Sequence, residues 1–273
     1  PAIVATTKDR VADISIVATA GLGYDQCNNM LVRSDAPEFA NAGEAIQWMN
    51  GKVVAVPKGA CTDRFALAVF EKENIKPASY LNQNIEVITS GFRAGKLDAA
   101  AIWEPTASRL VEEGLARKVA SGASVDENDG GFIDMRGDLI DQRPDVVKAW
   151  LNAELDAQLF MADPKNTMAI VKMAEEQTTG FESKVLWKAM VGTTPVLQGG
   201  TPVRNELAFA ITPKAQALID KATIFLHSIK TIKVDTLRDN AIEKSFTEDI
   251  LKERGLSAPV GKMWAQPDSA YGM

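Results

Sequence analysis

Between positions 13 and 120 short apolar runs keep returning, and from the second onward each is separated from the next by a stretch long enough to form a helix. Residues 13–20 (DISIVATA) read as a buried strand followed by a glycine-rich turn at Gly21 and Gly23, and Asn29–Arg33 (NMLVR) as a second short strand. Residues 52–57 (KVVAVP) form a third, bounded by Asn50-Gly51 before it and Lys58-Gly59 after it. Thr62 or Asp63 then caps a helix running through Glu73, with an apolar stripe at Phe65, 67–69 and Phe70. A strand at 85–88 (IEVI), a short helix at 90–94 closed by Gly95, a strand at 97–102 (LDAAAI) and another at 115–120 continue the alternation. Parallel neighbours need a crossover between them, so this order predicts an α/β chain with mostly parallel sheets flanked by helices.

The second half reads as mainly helical. Pro144 suits the first turn of a helix reaching about Ala162, whose apolar positions Val146, Val147, Trp150, Leu151, Leu155 and Leu159 recur at helical spacing. Further helices fit 164–177, 182–191, 213–229 and 236–254, the last stopped by Gly255. The stretch 257–273, rich in Pro, Gly and Ser, is expected to pack loosely.

The composition and motifs disfavour several function classes. Thirty-six acidic residues against 30 basic ones give a net charge of −6, and no Lys/Arg run offers a phosphate-tracking surface, so no nucleic-acid partner is expected. Two cysteines and one histidine cannot by themselves make a Cys/His zinc cluster, and no metal or cofactor is expected. The single histidine, His227, lies beside Phe225, Leu226 and Ile229 and outside any motif, which leaves a nucleophile without an oriented base. There is no G-x-S-x-G, no P-loop and no G-x-G-x-x-G after a strand. Carboxylate-only catalysis has no pair singled out for it, and the chain is not expected to be an enzyme.

The segment from Gly51 to Gly122 carries a family pattern. It reads GKVVAVPKGACTDRFALAVFEKENI, then SGFRAGKLDAAAIWEP, then LARKVASG. Ala94, Gly95, Asp98, Ala99, Trp103 and Pro105 fill the places of the second motif, and the run at 131–151 (GFI, later PDVVKAWL) matches a return strand with its following helix. In these features the chain resembles the nitrate-, sulfonate- and taurine-type solute-binding proteins of ABC importers. That resemblance implies a two-lobed type II periplasmic-binding-protein fold with a ligand cleft between lobes, 1–30 with 129–273 forming one lobe and 31–128 the other. It also implies two further βα units, about 60 residues at roughly 30 each, upstream of Pro1. Cys61-Thr62-Asp63 departs from the family, where Ser with a nearby His or aromatic residue is commoner.

In open parallel sheets ligands collect beyond the carboxyl ends of strands, at helix N-termini. That rule selects the loops 21–29, 58–63, 103–106 and 126–132. Lys58, Gly59, Ala60, Cys61, Thr62 and Asp63 make the best single candidate, because the start of the following helix favours an anionic group and Thr62 can donate to it; the same residues also describe a plain strand-to-helix turn. Trp103 offers an aromatic wall or a core plug, and Glu104 an acceptor for an amine or hydroxyl or a solvated turn position. Cys27, Asn28 and Asn29 offer short polar groups, although asparagine also favours turns for backbone reasons. The two cysteines are open to three readings, a bridge, a soft ligand contact, or the small buried hydrophobes that free cysteines most often are.

The function implied by the resemblance is a periplasmic receptor, monomeric, that closes about hinges near 28–30 and 130–134 around a small anionic or zwitterionic solute. It would deliver that solute to a membrane permease. An aromatic or heterocyclic solute stacked on Trp103, a regulatory sensor and an enzyme on the same fold are the alternatives.

Overall fold

The computed structural model describes residues 2–7, 13–193 and 202–272; the remaining positions of the expected lobes lie outside the described residues. In chain order its elements are α1 (Ala2–Thr6), β1 (Ile14–Gly23), β2 (Asn29–Arg33), α2 (Ala42–Trp48), β3 (Val53–Val56), α3 (Cys61–Lys72) and β4 (Ser79–Asn82). Next come α4 (Ile85–Arg93), β5 (Ala99–Ile102), α5 (Thr106–Glu112), β6 (Ala116–Ser121), α6 (Gly122–Val125), β7 (Asp129–Arg136) and α7 (Gly137–Gln142). These are followed by α8 (Pro144–Ala162), α9 (Thr167–Gln177), α10 (Ser183–Met190), β8 (Val203–Leu207), α11 (Pro213–Ser228), α12 (Ser245–Glu253) and β9 (Gly261–Trp264).

Two compact units result. The first comprises Pro1–Leu22, Gly130–Asn166 and Asn205–Met263; the second comprises Gly23–Asp129, Thr167–Arg204 and Trp264–Met273. This grouping by contacts differs from the expected lobe boundaries at 23–30, 129, 167–204 and 264–273, which fall in the second unit. Local contacts account for this. Lys184 and Lys188 of α10 both bond Glu112 at the end of α5 (2.5 and 2.7 Å), and Gln266 exchanges backbone hydrogen bonds with Val191 and Thr193 (2.7 and 2.9 Å).

The second unit is built on a five-stranded sheet of order β4-β3-β5-β2-β6. Its inner strands are apolar without interruption (MLV, VVAV, AAAI) because both faces are covered, as in parallel sheets generally. Met30, Val32, Val54, Val56, Ala99 and Ala101 meet Ile46 of α2 and Phe65, Val69 and Phe70 of α3 on one face. Leu31, Ala55, Ala100 and Ile102 meet Ile88 and Phe92 of α4 and Leu110 of α5 on the other. The sheet is mixed: β3 runs parallel to β4 and β5, but β2 is antiparallel to both β5 and β6.

In the first unit the sheet order is β7-β1-β8-β9. One face packs Ile16 and Leu22 against Leu218, Ile219 and Leu226 of α11. The other packs Val17 and Met135 against Val147, Leu151 and Leu155 of α8 and Ile250 and Leu251 of α12.

Several expected elements are corrected. Gly21 and Gly23 do not turn the chain; they continue β1, and a Cβ on Gly21 would sit 2.2 Å from the Asn205 side chain. Here glycine marks a close approach inside a strand. Residues 85–88 open α4 and are not a strand: Asn84 caps the helix by accepting from Val87 N–H (2.9 Å), and Ile88 and Phe92 turn inward four residues apart. The edge strand β4 (SYLN) was not anticipated, being partly polar and half-exposed. The expected helix over 236–254 shrinks to α12, because Ile242 is drawn into a parallel bridge with Ile16 of β1. Nor is 257–273 simply loose, since it contributes β9.

Candidate functional site

All the candidate residues lie in the second unit. Four features bring them into one region: a short loop after β1, the start of α3, the exit of β5 and the segment between α6 and β7.

Gly59, at φ +81°, adopts the left-handed conformation that favours glycine and turns the chain from β3 into α3. The helix cap is Ala60, in extended backbone and with no side chain to offer, rather than Thr62 or Asp63 as the sequence suggested. Asp63 instead reaches back and accepts from Gly59 N–H (2.8 Å), while its other oxygen accepts from the Tyr80 hydroxyl (2.6 Å). Burial and this bond to Asp63 push the Tyr80 phenol above its ordinary range. Lys58 is exposed, its Nζ 4.9 Å from the centre of the Tyr80 ring. The first bond inside the helix runs from Arg64 N–H to Ala60 O, so the N–H groups of Cys61, Thr62 and Asp63 stand at its open, electropositive end. Thr62 is fully buried, and its hydroxyl has no hydrogen-bond partner among the described residues.

A disulfide joins Cys27 to Cys61, the first residue of α3, with Cα atoms 6.2 Å apart. The reading of the two cysteines as separate buried hydrophobes is therefore overturned: both are partly exposed and bonded to each other. Spacing in the sequence could not reveal this, because the bridge spans 34 positions and depends on tertiary placement.

Beside Cys27 the loop is held by buried charge. One oxygen of Asp129 accepts from Cys27 N–H (2.6 Å) and Asn28 N–H (3.1 Å). Asn28 donates to Glu127 O (2.9 Å) and Asn29 to Asp25 O (2.8 Å); both asparagines are fully buried, and their side-chain oxygens have no partner among the described residues. Arg204 bonds Asp25 (2.6 Å), Arg64 bonds Glu127 (2.6 Å) and Asn128 O (2.6 Å), and Gly122 N–H reaches Tyr24 O (2.9 Å). Burial pushes the Asp129 carboxyl up to about 6, with Asp25 adding to the shift and the two N–H bonds and Arg64 opposing it.

At the exit of β5, Trp103 is half-buried. Glu104 is engaged within the protein. One oxygen forms a buried ion pair with Lys118 of β6 and stands 4.0 Å from Arg204, and the other accepts from Ser108 N–H at the start of α5 (3.0 Å). Lys118 in turn donates to the Ser108 hydroxyl (3.1 Å). Glu104 therefore acts as a strut between β6 and α5.

Sequence reading missed the residues that hold the site in place: Asp25, Arg64, Lys118, Glu127, Asp129 and Arg204. Asp129 falls within a loop that the strand-tip rule selects, but nothing in its neighbours distinguishes it from a turn aspartate. The sole histidine, His227, is exposed on α11 in the first unit. Among the described residues no group of His, Cys, Asp or Glu is arranged to hold a metal ion, and no helix is long and apolar enough to cross a membrane.

Residues 19–175 match the model of the NMT1-like family. The taurine-binding periplasmic protein of Escherichia coli (strain K12) is 28% identical over 120 residues, which is 42% of this chain and 37% of that protein's length. The solved structure of the alkanesulfonate-binding protein SsuA from Xanthomonas axonopodis pv. citri, bound to MOPS, has a TM-score of 0.65 at 18% identity, covering 89% of this chain and 77% of the other. The desulfurization enzyme DSZB gives a TM-score of 0.68 at 15% identity, covering 92% and 83%. At such identities the likeness is one of fold, that of the two-lobed periplasmic binding proteins.

Proposed function

The chain belongs to the NMT1-like family, and we propose that it is a solute-binding receptor of an ABC importer. Its ligand is a small anion or zwitterion of the sulfonate, taurine or nitrate kind. The observation that carries this is the open end of α3. A helix start without a capping side chain, with a buried and unpartnered threonine hydroxyl in its first turn, suits a tetrahedral or planar anion. Thr62 and the N–H groups of 61–63 are the proposed anion donors, with Gly59 and Ala60 giving backbone access and Lys58 a nearby cation. Cys27, Asn28 and Asn29 form the adjoining wall, and Trp103 supplies an aromatic surface. Because the oxygens of Glu104 and Asp63 are engaged by Lys118, Ser108, Tyr80 and Gly59, the proposed amine contacts fall to the asparagine side chains.

Capture includes closure of the chain about its ligand, and delivery is to a membrane permease. A periplasmic setting is supported by the disulfide, which persists in oxidising compartments. A receptor is favoured over an enzyme because both cysteines are tied in that bridge and the only histidine sits on α11. Isothermal titration with taurine, methanesulfonate, nitrate and a heterocyclic panel tests the proposal. Thr62→Val is expected to weaken anion binding about 10- to 100-fold, the range for a hydrogen bond to a charged group, without loss of stability. Unchanged anion affinity in that variant, or tightest binding by an uncharged heterocycle, would overturn it.

A further inference from the structure

Three carboxylates are buried around the loop after β1, and they are held differently. Asp25 bonds the guanidinium of Arg204 and Glu127 that of Arg64, each at 2.6 Å. Asp129 instead receives two consecutive backbone N–H groups, those of Cys27 and Asn28, on a single oxygen. Consecutive N–H groups converge on one point only when the chain folds over it, so this carboxylate fixes the local backbone shape. The same two residues carry the disulfide to α3 and an unpartnered buried amide oxygen.

We propose that Asp129 is the positioning residue of the ligand site: its charged carboxylate holds Cys27 and Asn28 in the shape that captures ligand, and capture weakens when it is protonated. The inference rests on the receptor reading above. Asp129 is the last residue of its segment in the second unit, and its other oxygen stands 3.5 Å from where a Cβ on Gly23 would be, at the start of that unit. Through the N–H groups of Cys27 and Asn28 it ties the loop near the start of this stretch to the stretch's last residue. The charged groups around it are Asp25, whose like charge favours protonation, Arg64, whose opposite charge resists it, and the Glu127 and Arg204 that pair with them. With both neighbouring carboxylates paired to arginine, Asp129 is the member of the cluster free to respond to mild acid. Protonation would turn two charge-assisted bonds into weak ones.

The test has two arms. In the first, taurine and methanesulfonate, neither of which changes charge from about pH 5 to about pH 8, are titrated into the wild type and Asp129→Asn across that range. The wild type is expected to bind about tenfold more weakly at pH 5 than at pH 7, as for loss of one required charge, and the variant weakly with a flat profile. A flat wild-type profile, or a variant that keeps both wild-type affinity and its pH dependence, overturns the proposal. In the second arm, amide exchange of Cys27 and Asn28 is followed in ligand-free wild type relative to the core amides of β1; in local openings that break these two bonds while Asp129 stays buried, protection is expected to fall as pH drops through about 6 and to persist at neutral pH, although global stability changes in the opposite sense. Protection that is indifferent to pH overturns the positioning role without any variant having to fold. Should neither solute bind at any pH, the receptor reading fails, and the exchange arm still decides what Asp129 holds.

Discussion

Replacing both Cys27 and Cys61 by serine removes a cross-link that closes a loop of 34 positions. The chain-entropy relation for a closed loop of that size gives about 12.6 cal/mol/K, or about 3.8 kcal/mol at 25 °C, as the stability the bridge contributes by restricting the unfolded chain. Urea unfolding followed by tryptophan emission is a suitable assay, because Trp48, Trp103, Trp187 and Trp264 all lie in the second unit and only Trp150 in the first. The double variant should lose between about 2 and about 4 kcal/mol of unfolding free energy in the transition that the second-unit tryptophans report. Wild type treated with a dithiol reductant should coincide with it, which separates loss of the cross-link from any effect of the serines. A loss under about 1 kcal/mol would show that the loop after β1 and the start of α3 are already restrained relative to each other when unfolded, and would refute the entropic account.

Three further outcomes follow from buried groups. Asp129, raised from 3.8 to about 6 in the folded state, retains its proton there after the unfolded chain has lost it. Wild-type stability should therefore fall by about 3 kcal/mol as pH rises from about 4 to about 7, and the gap to Asp129→Asn should move in the variant's favour by that amount in urea titrations. Lys118→Met leaves buried Glu104 only the more distant Arg204, at 4.0 Å, as a cation and should cost about 3 kcal/mol, the lower end for a broken buried pair, partly restored by adding Glu104→Gln. Gly122→Ala would place a Cβ 2.0 Å from Glu127 O and 2.3 Å from Tyr24 O; thermal melts should show a loss of about 3 kcal/mol, at the upper end of overpacking.

The sheet of the second unit was largely legible because a strand covered on both faces must be apolar throughout, and MLV, VVAV and AAAI have few other uses. Elements defined by partners were not. IEVI looks like a strand until Asn84 is seen capping a helix, and SYLN looks like nothing until β3 pairs with it. The turn from β3 into α3 was visible as Lys58-Gly59-Ala60 after an apolar run, but the absence of a capping side chain was not, since Thr62 or Asp63 was expected to cap. What could not be read was the support behind it: Asp129, Arg204 and Lys118 acquire their roles from residues 101, 179 and 14 positions away, and no local pattern encodes such distances. The engagement of Glu104 was hidden for the same reason, since only the fold shows Lys118 beside it.

The second unit is not a continuous piece of chain. Arg204 and the residues around Gln266 complete it long after Gly23–Asp129 has been made. During synthesis the residues that complete the unit, Arg204 for Asp25 among them, emerge only after that stretch has been made. A fragment cut from 23 to 129 should consequently be a poor surrogate for the unit, and efforts to graft the site elsewhere would have to carry three separate strips of sequence.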